Sequence, residues 1–136
     1  MIKEFVTYEQ ALSLKELGFD EPCLAKHDLK HILLRVEECK SQENAQELDY
    51  ILAPLYQQAF RWFREKHNLC GEVYTVNMGA IDYTFQIRDL YSEDIKHDNF
   101  EAYTGGYTGT FLTYEEAESA CLDKLIEIFK TKTNEK

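Results

Sequence analysis

Cys23, His27, His31 and Cys39 have the residue types of a Cys2His2 zinc site. Zinc takes four nitrogen or sulfur ligands in a tetrahedron, and four-residue spacing converges on one ion when the residues share a helix. This segment reads instead as strands, with His27 and His31 flanking a turn, and the paired short spacings of zinc sites are missing. The four residues are read as scattered, and no metal or other cofactor is assigned. His67 falls towards the end of an aromatic helix, where a packed or dipole-stabilised imidazole is expected rather than a base. His97 sits in a charged loop. No Ser-His-Asp or Cys-His arrangement shows as a motif, so no catalytic residue is named and the chain is read as non-enzymatic. Gly105-Gly106-Tyr107-Thr108-Gly109 lacks the Lys-Ser/Thr of a P-loop and lies between strands, which makes it a turn. Glu93, Asp94 and Asp98 follow no EF-hand pattern and read as a solvated face.

Recognition is the chemistry that remains. Exposed tyrosines make good anchors, because each carries large area, few rotors and a polar tip. Tyr103 and Tyr107 lie near turns, and Glu115, Glu116 and Glu118 open the last helix. These five residues form the candidate binding surface. The alternative ligand-binding set is Arg61, Arg64 and Arg88, whose guanidinium groups suit phosphate while tyrosine rings stack on a base.

The charge balance suits solubility first, and after it a basic partner or imitation of a polyanion. Lys plus Arg total 15 against 25 Asp plus Glu, a net charge of −10. Binding to nucleic acid polymers needs clustered cations, which this chain does not have. Hydrophobic residues make up 44% of its 136 residues, as in a soluble globular domain. No apolar run approaches the ~18 residues of a membrane span, and MIKEFVTYEQ lacks a signal-peptide core. A cytoplasmic protein with no membrane partner is expected, its four cysteines free and without a CxxC pair.

The elements that must position these residues centre on 52–69, LAPLYQQAFRWFREKHNL. On a helix, Leu52, Leu55, Tyr56, Ala59, Phe60, Trp62 and Phe63 share an arc of roughly 160°. Such an apolar flank should lie against a sheet, and Pro54 suits its first turn. Upstream, Thr7 with Gln10 makes a capping box. The helix it opens runs to about Leu17, with Gly18 and Phe19 forming a Schellman stop and Leu12, Leu14 and Leu17 facing inward. Residues 23–26 and 31–36 read as a hairpin, and 37–49 as a polar loop. Residues 72–77 and 80–88 form a second hairpin, in which Ile81, Tyr83, Phe85 and Ile87 alternate with polar residues. Residues 89–99 are a polar connection, and 100–104 with 107–112 flank a Gly-Gly turn. An uncovered strand at 107–112 offers an edge for a homodimer. Thr113 with Glu116 repeats the capping box, Ala117, Cys121, Leu125 and Ile128 make the next stripe, and 130–136 should fray.

From Leu52 onward the order helix, strand, strand, strand, helix resembles that of double-stranded-RNA-binding domains. FRWFREKHNL, VYTV, YTFQI and EEAESACLDKLIEI stand where that family has its elements. Its last helix begins with lysines that contact phosphates, whereas this one begins with Glu115, Glu116 and Glu118, so the resemblance implies the topology without the RNA function. TYEQALSLKELGFDEPC, APLYQQAFRWFREKHNL and TYEEAESACLDKLIEI are similar to segments of small uncharacterised proteins of Bacteroidetes phages and mobile elements. That resemblance implies a phage accessory context and carries no activity.

The expected fold is α+β, an antiparallel sheet packed on one face by two or three helices. It is organised as one domain: a helix, hairpin and polar loop over 1–50, an α-β-β-β-α core over 51–130 and a tail at 131–136. The expected function is a non-enzymatic accessory protein that binds a host protein as an anti-defence inhibitor. The alternative is a small-ligand binder that sequesters a nucleotide messenger.

Overall fold

A computed structural model describes residues 4–39, 50–77, 79–92, 95–98 and 110–134 of the chain. It has an α+β fold in which helices pack on antiparallel sheets. The chain forms two compact units, Met1–Ala59 and Phe60–Lys136.

The first unit is set by its helix cap. Thr7 Oγ1 accepts from the Gln10 amide at 3.2 Å, and Gln10 Oε1 accepts from the Thr7 amide at 3.0 Å. These reciprocal bonds satisfy two amides that a helix start leaves open, and they begin α1 (Tyr8–Glu16). The Tyr56 hydroxyl also donates to Gln10 Oε1, at 2.7 Å, so this polar side chain is buried without loss. Gly18 at φ 101° ends the helix, and the Phe19 amide turns back to the Leu14 carbonyl. Ala11 and Leu14 face inward. Leu12, expected to do the same, is exposed, because at about 100° per residue it points away from the side that Gln10, Ala11 and Leu14 bury.

β1 (Cys23–His27) and β2 (Leu33–Cys39) form the expected antiparallel hairpin. β2 extends through Glu37 and Glu38, so the polar loop begins later than the sequence suggests, and residues 40–49 lie outside the described set. β3 (Ile51–Leu52) pairs with the other side of β1, giving the order β2-β1-β3. Leu52 is therefore strand and not helix. Pro54 disfavours helical backbone at Ala53, whose amide instead donates to the Ala25 carbonyl. Pro54 itself precedes the helix, and its carbonyl accepts from Val6.

α2 (Tyr56–His67) carries the aromatic residues, and the boundary between the two units falls within it. Phe60, Trp62 and Phe63 are all buried, as the apolar arc requires. The helix stops where Asn68 takes φ 57°, a left-handed conformation that asparagine tolerates.

In the second unit β4 (Leu69–Asn77) and β5 (Ile81–Asp89) pair over nine residues without a register shift. β6 (Ile95–Asp98) joins the far side of β5 and gives the order β4-β5-β6. It falls in the stretch expected to be a polar connection. Further along β5, Tyr83 exchanges backbone hydrogen bonds with Phe111. Phe85 and Ile87 are buried as the alternation predicts, whereas Ile81, beside the hairpin turn, is exposed. The Gly-Gly turn lies outside the described residues.

α3 (Tyr114–Asn134) packs on β4 and β5. Thr113 Oγ1 accepts from the Glu116 amide at its start. Ala117, Cys121, Leu122, Leu125 and Ile126 are buried. Residues 130–134, expected to fray, remain helical. Lys132 is held there 3.4 Å from the Asp89 carboxylate, with Lys96 at 3.9 Å. The Tyr91 amide, then Lys132 and Lys96, hold this carboxyl below its usual range, against the opposing effect of burial.

Gly71 fixes how closely α3 approaches the sheet. A Cβ there would stand 2.8 Å from Cys121 Sγ and 3.0 Å from Leu125 Cδ1. Gly71→Ala is expected to lower stability by about 1–3 kcal/mol. Adding Cys121→Ala removes the nearer obstacle, so in a denaturant double-mutant cycle the pair should lose less than the sum of the two single losses.

Candidate recognition surface

Glu115 and Glu116 lie in the first turn of α3 with their side chains in water. Carboxylates there also complement the positive end of the helix. Glu118, expected beside them, is 6% exposed. At 100° per residue it shares a face with Leu122 and Leu125, four and seven positions on, so it belongs to the inner stripe and not to a recognition surface. Tyr103 and Tyr107 lie outside the described residues. Of the five, the structure describes two as surface residues.

The same end of the second unit holds apolar residues that the sequence reading passed over. Leu112 is 79% exposed and Tyr114 is partly exposed. The Tyr114 ring stands edge-on to Tyr83 at 6.0 Å, and Tyr83 is tied by its backbone to Phe111. A hydrophobic residue just before a helix cap commonly staples onto the fourth helical position. Leu112 occupies that place before Thr113, with Ala117 as the fourth residue, yet it remains in solvent. An unused staple position is the signal that would have found it.

The arginines divide differently. Arg61, Arg64 and Arg88 are all exposed. Arg88 is the cross-strand partner of Cys70, and both Arg64 and Arg88 draw the Cys70 thiol towards ionisation. Burial, then the Glu72 carboxylate, outweigh them and push that thiol above its ordinary range. Glu72 Oε1 lies 3.8 Å from Cys70 Sγ. Two of the three arginines thus act on the Cys70 thiol, together with Glu72, two residues along β4; Arg61 lies one turn before Arg64 on α2. Cys121, below the sheet, is buried, and its thiol is pushed up far more strongly.

Cys23, His27, His31 and Cys39 do not converge. Cys23 and Cys39 are cross-strand partners, but His27 stands at the other end of β1, roughly 13 Å along the strand from Cys23. His27 is buried and its Nε2 donates to the Val6 carbonyl at 3.0 Å. His31 stacks flat on Tyr8, 3.6 Å between ring centres. Among the described residues, no group of three or more His, Cys, Asp or Glu is placed to hold a metal ion.

His67 closes α2 inside a box of rings, with Phe129 at 4.1 Å, Trp62 at 4.6 Å and Phe63 at 6.0 Å. Desolvation lowers its pKa below the ordinary histidine value, consistent with a packed side chain. Among the described residues, no helix is long and apolar enough to cross a membrane.

Compared with known proteins, the chain matches no family model, no curated protein and no solved structure at a significant level.

The Cys70 surroundings give a direct test of their electrostatics. Glu72→Gln should speed alkylation of Cys70 at neutral pH, and Arg88→Ala should slow it. Each pKa unit changes the thiolate fraction about tenfold below the pKa. Peptide mapping by mass spectrometry after timed iodoacetamide treatment would separate Cys70 from the other thiols.

Proposed function

We propose that this chain is a phage-type accessory protein that works in the cytoplasm of a bacterial host, binding a host protein without catalysis as an anti-defence inhibitor. The observation that supports this reading is the start of α3. There Leu112, at 79% exposure, stands beside the exposed carboxylates of Glu115 and Glu116. Tyr114 is exposed in the same turn, and apolar surface rimmed by charged residues suits docking. A few anchors, aromatic ones such as tyrosine above all, supply most of the affinity of protein interfaces, and a charged rim steers encounter with a partner of opposite sign. The partner therefore presents an apolar pocket bordered by lysine or arginine.

The test uses Glu115→Lys with Glu116→Lys, and separately Leu112→Asp, leaving the buried Glu118 intact. Reversing the two glutamates should cost the helix about 0.3–1 kcal/mol each, which leaves the fold in place. Tagged protein should capture a basic host protein from Bacteroidetes lysate, and titration with that purified protein should show each variant weakened at least tenfold. Capture and affinity unchanged in both variants would reject this surface.

A second reading draws on the arginines. Arg64 and Arg88 acting together at Cys70 favour a site for an anionic ligand, and we propose a nucleotide messenger as the alternative ligand. A ligand at a hundred times its Kd adds about 2.7 kcal/mol of stability. Thermal-shift measurements with cyclic nucleotides and ADP-ribose should then show a rise in Tm that Arg64→Ala and Arg88→Ala abolish. No shift with any of these nucleotides would remove the alternative.

A further inference from the structure

β4 is the end strand of its sheet, and among the described residues it pairs with β5 and with no second strand. A strand edge carries a row of amides and carbonyls that can template another strand, and proteins usually blunt such an edge with lysines, prolines, bulges or short length. β4 has none of these. It is nine residues, roughly 31 Å when extended. Its register with β5 is unbroken, whereas the β1–β2 and β5–β6 pairings each contain a shift. Its sequence, LCGEVYTVN, has no proline and no cation, and its single charge is Glu72 in a chain whose residues are 29% charged.

We propose that β4 is the edge through which two copies of this chain pair, antiparallel about a two-fold axis at Val73, to make one continuous six-stranded sheet. Electrostatics select the second copy and the register. A chain with a net charge of −10 repels itself, so self-association is favoured along a strand that carries little charge of its own, and β4 carries only Glu72. Placing the axis at Val73 uses all nine residues, with Leu69 opposite the partner's Asn77 and Gly71 opposite the partner's Thr75. Glu72 then faces the partner's Tyr74 and not the partner's Glu72, so no like charges meet. An axis at Glu72 would set the two carboxylates against each other. The pairing is isologous: one patch serves both copies and the assembly closes at two. It is independent of the surface at the start of α3.

Sedimentation velocity on the full chain from about 1 μM to about 500 μM spans the affinities of weak transient contacts. It should show a species of twice the 16.0 kDa chain mass growing with concentration. Tyr74→Glu puts a carboxylate opposite the partner's Glu72 at two symmetric places, and Tyr74→Lys puts an ammonium there. Both remove the same ring, so any effect on folding is shared. The lysine variant should bind its own copy at least tenfold more tightly than the glutamate variant. Should either variant fail to fold, Val73→Cys in a Cys70→Ser background should form an interchain disulfide through thiol–disulfide exchange with oxidised glutathione, which is reduced in step. A monomer mass at every concentration overturns the proposal. So does a dimer that responds equally to both Tyr74 variants, or one that gives no crosslink at position 73.

Discussion

The contact between Phe129 and the end of α2 is the constraint on which the second unit depends. One ring on α3 stands against both Phe63 and His67, and Trp62 closes on the same two residues from the α2 side. Aromatic pairs at these separations prefer edge-to-face and tilted arrangements, which favour particular angles as well as proximity. The helices are therefore fixed in rotation at this point. With α3 fixed here, Cys121 and Leu125, two turns and one turn before Phe129 on the same side of the helix, meet the sheet at Gly71, which lets it come close. The exposed start of α3 is held by the same arrangement: the helix that presents Glu115, Glu116 and Leu112 is anchored along its length by buried side chains and near its end by the Asp89–Lys132 ion pair.

Charge is distributed in keeping with this. Asp89 is a carboxylate inside the fold, and its negative form is matched by the Tyr91 amide and two lysines. Glu115 and Glu116 face solvent in the first turn of α3. Formally identical carboxylates thus serve as a structural tie and as an outward field, and the difference lies in which neighbours the backbone brings to each. Both lysines stand partly in water, so the Tyr91 amide is the firmest of the partners that hold Asp89 charged.

The parts of this fold legible in the sequence are those decided by neighbours in the chain. The capping box at Thr7 and Gln10, the stop at Gly18 and the alternation of Phe85 and Ile87 involve groups a few residues apart, and each forms as expected. The reading fails where a distant partner decides. Ile51 and Leu52 continue an apolar helical pattern but become strand because β1 offers them hydrogen bonds, and Pro54 disfavours helical backbone just before it. Ile95-Lys96-His97-Asp98 is short and mostly polar, and only pairing with β5 makes it a strand. Glu118 is on the inner face by helical phase, which the count of charges in that turn concealed. The candidate site follows the same rule: the exposure of Glu115 and Glu116 could be read locally, while the placing of Arg88 opposite Cys70 depends on the pairing of β4 with β5.

The ring box around His67 has an optical consequence. Trp62 is the single tryptophan of the chain, and the imidazole lies edge-on to its indole. A protonated imidazole quenches excited indole by accepting an electron from it, while the neutral ring does so weakly. The intrinsic emission of the native protein therefore reports on one histidine, and its quenching on acidification sets in below the ordinary histidine range, because the box disfavours the cation. The protein carries its own fluorescent reporter at the junction of α2 and α3, without a label.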